Sequence, residues 1–174
     1  MRKFIKAIAL ASAMLMAATA FAACGSDDKS SSKSASSVSD VSVTQADVHK
    51  ITTEKGIEIA NDSAIDTSDS AAESTISAYL SKNTQLKDSI ESSAAGNATA
   101  NIYAKGNAMV VECTRTVMLD DGQTSAIKNA GDTVISSLKP MLSSMRSDVG
   151  ADNMVMVVAY LSMDGSYITG GVAK

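Results

Sequence analysis

Very few residues in this chain could do covalent or metal chemistry. It holds two cysteines and a single histidine. Cys113 lies in an alternating apolar run, Met109, Val111 and Cys113, with Arg115 two residues on. A redox thiol must be exposed and held as thiolate by a nearby cation. Arg115 is the one such neighbour, and a mid-strand cysteine is otherwise a small hydrophobe. His49 would have to fold back from a polar N-terminal segment to serve as a base for a nucleophile. One free thiol and one imidazole are too few for zinc. The acidic turn residues Asp120-Asp121-Gly122, Asp152 and Asp164 lack the alternating oxygens and closing glutamate of a calcium loop. Turn chemistry accounts for them. No phosphate-cradling glycine loop and no nucleophile elbow occurs. No residue is therefore assigned as catalytic or as a metal ligand, and no cofactor is implied.

The other cysteine, Cys24, has a different context. Arg2, Lys3 and Lys6 precede an uncharged apolar run from Ala7 to Ala20, which closes on Ala22-Ala23. A basic start, an apolar middle and small residues at the cut describe a secretory signal peptide. The run is shorter than the ~20 residues of a permanent membrane helix. Phe21-Ala22-Ala23-Cys24 resembles the lipobox of bacterial lipoproteins, with Phe21 where Leu is more usual. That resemblance implies a diacylglyceryl thioether on Cys24, which becomes the new N-terminus. Cleavage after Ala20-Phe21-Ala22 as an ordinary secretory site satisfies the same residues. Burial adds about 0.8 kcal/mol per methylene, and two acyl chains hold where one does not. Lipidation of Cys24 predicts a protein anchored to the outer, extracytoplasmic face of the cell membrane.

Cleavage before Cys24 removes 23 of 174 residues and three of fifteen basic side chains. It leaves 151 residues with 12 basic against 19 acidic, a net charge of −7. Without a basic cluster, neither nucleic acid nor adhesion to anionic lipid is expected. Both phenylalanines precede Cys24, so the remainder has four tyrosines as its aromatics and no tryptophan. Cys113 is then the one cysteine left for redox chemistry.

The elements follow in chain order. Residues 24–40 form a serine-rich tether with almost nothing apolar to bury, spanning on the order of 20 Å as a coil. Residues 41–69 read as linker or as a partly ordered segment, with a short strand near Lys55–Ile59. Ser70-Ala71-Ala72-Glu73 reads as a capping box. It opens a helix through Ile76, Tyr79, Leu80, Leu86 and Ile90, with a break near Asn83 and an end at Gly96. Alternation over Ala98–Lys105 and from Met109 towards Leu119, about Gly106-Asn107, predicts a hairpin. A long amphipathic helix runs from beyond Gly122 to Gly150. Pro140 inside it predicts a kink or break near Leu138. Met154–Met163, apolar on both faces, reads as a central strand. Asp164-Gly165 then turns the chain into a return strand from Tyr167.

The expected class is α+β: helix, hairpin, helix, hairpin, with two helices on an antiparallel sheet formed by residues 70–174. From Glu73 to Lys174 the chain is similar to a family of small uncharacterised lipoproteins of Gram-positive bacteria. Gly106-Asn107, Val155-Met156-Val157-Val158-Ala159-Tyr160-Leu161 and Asp164-Gly165-Ser166-Tyr167-Ile168 carry that similarity. It implies a lipid-anchored domain of unknown function and supplies no catalytic residue.

Two functions are compatible with these features. The first is an extracytoplasmic binding or interaction module. Its partners would be the membrane, through the anchor, and an unknown protein or envelope component. The alternative is an extracytoplasmic redox or hydrolytic enzyme using Cys113 or the acidic turns. Seven methionines (Met109, Met118, Met141, Met145, Met154, Met156 and Met163) are core filler in an aromatic-poor domain. If one sheet face is uncovered, they become an adaptable apolar surface instead.

Overall fold

The computed structural model describes residues 48–94 and 96–174. Cys24 and the stretches read from the sequence as signal peptide and serine-rich tether lie outside the described residues. The elements are β1 (Lys50–Thr52), β2 (Glu58–Asn61), α1 (Ser70–Lys82), α2 (Thr84–Ser93), β3 (Ala98–Lys105), β4 (Ala108–Arg115), α3 (Asp121–Val149), β5 (Val155–Leu161) and β6 (Tyr167–Ala173). The class is α+β, with three helices packed against a four-stranded sheet of order β3-β4-β5-β6.

The sheet is mixed rather than antiparallel. β3–β4 and β5–β6 are antiparallel hairpins, but β4 and β5 run parallel, from Ala108 opposite Val155 to Thr114 opposite Leu161. The connection forces this. α3 has 29 residues, about 43 Å of helix, and carries the chain back along the full sheet before β5 begins. A strand starting at that end must run beside β4 in the same sense.

Two helices were expected; the first divides at Asn83. Asn83 leaves helical geometry, its side-chain amide donates to the Tyr79 carbonyl at 2.8 Å, and its own N–H reaches Tyr79 and Leu80. α2 then ends at Ser93, short of Gly96. The cap of α1 is Asp69, whose carboxylate accepts the Ala72 N–H at 2.9 Å. Ser70 is not the cap, because a carboxylate one residue earlier is the stronger acceptor at a helix N-terminus. α3 opens with a reciprocal capping box of Asp120 and Gln123 and stops at Gly150, whose φ is +81°. It runs without a break through Pro140, so the break expected near Leu138 does not occur. The carbonyl freed by the missing N–H belongs to Ser136, which is exposed like Pro140, so water can serve it.

β5 is buried along its whole length, as a central strand should be. One of its faces joins the main core. Met156, Val158 and Tyr160 pack there with Met109, Val111 and Cys113 of β4 beneath Ile76, Ile90, Ile127, Val134, Leu138 and Leu142 of the helices. On the other face Val155, Val157, Ala159 and Leu161 meet Ile51, Ile59, Ala60 and Ile65. The β1–β2 hairpin thus covers the face that would otherwise be an apolar surface. Four methionines (Met109, Met145, Met154 and Met156) are buried.

Asn107, 3% exposed, ties this hairpin side to the sheet. Its amide oxygen accepts the Asp66 N–H at 2.8 Å, and its nitrogen donates to the Ala64 and Asn153 carbonyls, both at 2.9 Å. Its backbone N–H also reaches the Asp66 carbonyl at 3.0 Å. Gly106 beside it has φ +55°, and a Cβ there would sit 2.0 Å from the Asp66 carbonyl oxygen. Glycine is required on both counts.

Candidate functional site

Cys113, His49 and the acidic turn residues each have a definite place; Cys24 lies outside the described residues. Cys113 is 1% exposed, opposite Tyr160 in the core under the helices. Burial pushes its thiol up to about 12, and nearby Arg115 offsets this only in part. A group so protonated has no thiolate to offer at neutral pH. Arg115 ends β4 at 5% exposure, and burial lowers its guanidinium from the ordinary value.

His49 lies on the β1–β2 side, on the opposite face of the sheet from Cys113. Its Nδ1 is 3.3 Å from the Ile65 carbonyl oxygen. The structure does not bring the two together. Asp120 is spent on the α3 cap and Asp152 is exposed in the loop before β5. Among the described residues no three His, Cys, Asp or Glu side chains are grouped to hold a metal ion.

Two recesses lie elsewhere, at one end of the sheet. β4 finishes there, α3 begins there, and the β1–β2 and β5–β6 turns meet there. A Cβ on Gly165 would sit 3.5 Å from Lys55 Nζ. Between the α3 start and the β5–β6 turn is a groove of about 320 Å³. It is lined by Met118, Leu119, Met163, Tyr167 and Ile168, with Lys128 on its rim. Among the described residues the exposed large apolar side chains are Val117, Met118, Met163 and Tyr167. Three of the four line this groove.

The turn that forms one wall is rigidly held. The Ser162 hydroxyl donates to the Asp164 carboxylate, which also accepts the Ser166 N–H at 2.9 Å. The bond from Ser162, followed by those from Ser166, pulls the Asp164 carboxyl down to about 2.

Met163 borders a second recess as well. This polar cleft of about 740 Å³ has Asn101, Tyr103, Lys105, Glu112 and Thr114 as floor and Thr52–Lys55 as wall. It is the half of the second sheet face that the β1–β2 hairpin leaves open. β3 and β4 alternate, so Asn101 and Glu112 are direct cross-strand partners on it. The Tyr103 hydroxyl donates to Glu112 Oε1. Partial burial is the larger reason, and this bond the next, that the phenol is held well above its ordinary value.

Sequence reasoning missed both recesses. The alternation runs β4 on towards Leu119 and the central strand on to Met163, but the strands end at Arg115 and Leu161, which leaves Val117, Met118 and Met163 in loops that no local pattern joins. Only the parallel crossover brings the residues after β4 beside those after β5.

The family model of a domain of unknown function, DUF4854, matches residues 76–171, from within α1 to within β6. The chain belongs to that family. No curated protein and no solved structure matches it. The matched stretch includes both sides of the apolar groove and leaves out the β1–β2 hairpin.

Proposed function

We propose that this member of the DUF4854 family is an extracytoplasmic binding module, held at the outer face of the cell membrane by a lipid on Cys24. The observation that carries the binding half is the gathering of Met118, Met163 and Tyr167 around one groove. Exposed apolar side chains that cluster, where Val117 alone of the other large apolar side chains among the described residues is exposed, mark an interaction surface. The anchor is supported by the basic, apolar and small-residue order before Cys24. No helix among the described residues is long and apolar enough to cross a membrane. Redox or hydrolytic chemistry has less support, since Cys113 is sealed in the core and His49 is remote from it.

Two measurements test this. Mass spectrometry of membrane-extracted protein is expected to find an N-terminal Cys24 carrying a diacylglyceryl group. An unmodified product beginning near Ala23 in the culture fluid would refute the anchor. A photo-cross-linking residue at position 163, in cells that make the full chain, is expected to capture a discrete species that one at Asp88 does not. No adduct at 163, or the same adducts at both positions, would refute the binding end.

A further inference from the structure

We infer that the groove takes a short extended segment of another protein carrying two apolar side chains, not a bilayer and not a second copy of this chain; this rests on the binding-end reading above. The Val48 carbonyl accepts the Thr67 N–H and the Asp66 carbonyl accepts the Asn107 N–H, which puts the first described residues beside the β3–β4 turn. The groove lies past the other end of the strands. β5 has seven residues, so the two ends are about 20 Å apart. Residues 1–47, with Cys24 among them, therefore join the domain at the end away from the groove. A lipid on Cys24 is thus joined to the domain through the end opposite the groove.

Charge points the same way. Lys128 and Asp164 are the charged residues lining the groove, one of each sign. Adhesion to anionic lipid needs a basic cluster, which this rim lacks. Apolar contact decides binding here, and the segment it suits is uncharged.

Area separates a segment from a second copy. Met118, Met163 and Tyr167 of the groove are 82, 53 and 42% exposed. Together that is somewhat under two whole side chains, or about 350 Å² at ~200 Å² each. A partner in a standard interface contributes ~800 Å². Less than half of that suits two inserted side chains.

Continuity with the polar cleft favours a polypeptide over a free apolar molecule. Past Met163 the surface turns to Asn101, Glu112 and Thr114, whose amide, carboxylate and hydroxyl can meet backbone N–H and C=O groups. A hydrocarbon tail has nothing to offer them. The wall itself is preformed by the Ser162–Asp164–Ser166 bonds, which limits the ordering cost of binding.

The test is a randomised nine-residue peptide library panned on cells carrying the full chain, counter-selected on cells carrying Met163→Asp. Enriched peptides are expected to share two apolar residues at fixed spacing. Their Kd is expected to rise at least about tenfold with Met118→Asp or Met163→Asp, and by less than about twofold between 50 and 500 mM salt. Unchanged thermal unfolding of both variants shows that the fold is intact. No enrichment, or charged peptides with steep salt dependence, would overturn the inference. So would a cross-linker at 163 that captures lipid, a free fatty acid or a second copy of the chain. Those adducts would leave the binding end standing, whereas no adduct at all would remove both.

Discussion

Glu73 on α1 accepts the backbone N–H of Gly106 at 2.6 Å, so a carboxylate from the first helix caps the turn of the β3–β4 hairpin. The adjacent Asn107 gathers Ala64, Asp66 and Asn153 around the same turn. One end of the domain is thus held by polar bonds between segments distant in sequence. The other end carries the apolar groove and the polar cleft.

The first prediction separates the two roles of the α1 start. Asp69→Ala is expected to lower Tm, and Ser70→Ala to leave it within error, because Asp69 is the cap. Glu73→Ala is expected to cost about 2 kcal/mol, as a charge-assisted bond to a backbone N–H is lost. The Asp69 carboxyl is held below its ordinary value, first by the Ala72 N–H and then by the Asn153 amide. Its contribution is therefore present above the unfolded pKa near 3.8 and fades as pH falls through the lower folded value. Equal losses in Ser70→Ala and Asp69→Ala, read by urea unfolding, would contradict the assignment.

Asn107→Ala should be the most damaging single change at that end. It takes their partner from the part-buried Asp66 N–H and the Ala64 and Asn153 carbonyls, for a loss of roughly 3 kcal/mol and a Tm lower by roughly 10 °C. A loss below about 1 kcal/mol would mean that water replaces the side chain.

Native Cys113 should resist thiol reagents. In the full chain carrying Cys24→Ser, labelling at pH 8 is expected only at the rate of unfolding, and to quicken with denaturant. The thiol is raised from 9.0 to about 12 in the fold, so the unfolded chain deprotonates first as pH rises. Its contribution to stability is whole below pH 9 and falls between about 9 and 12. Rapid stoichiometric labelling of folded protein would return Cys113 to the list of reactive groups.

Pro140→Ala is expected to stabilise the domain by about 1 kcal/mol or more. It restores a helical N–H to the Ser136 carbonyl and removes the steric cost of proline in a helix interior. Some of that gain is offset by greater freedom of the unfolded chain. A fall in Tm would show that α3 depends on the proline as it stands.

The chain by itself determined its elements wherever local chemistry is decisive. The Gly106-Asn107 hairpin, the stop at Gly150 and the doubly apolar strand around Val157 were legible from turn residues and periodicity, and so was the α+β class. Position 83 was legible as a weak point because an asparagine side chain competes with helical bonds wherever it stands. Local pattern could not say that Glu73 serves Gly106 rather than Ser70, since both partners lie within reach of a carboxylate and only packing chooses. Nor could it say that β4 and β5 run parallel, because that depends on whether α3 breaks at Pro140 or carries the chain the full length of the sheet. The tertiary structure decided both, and with them the groove. Met118 and Met163 are 45 positions apart in sequence, and they share a surface only because the crossover returns the chain to the same end.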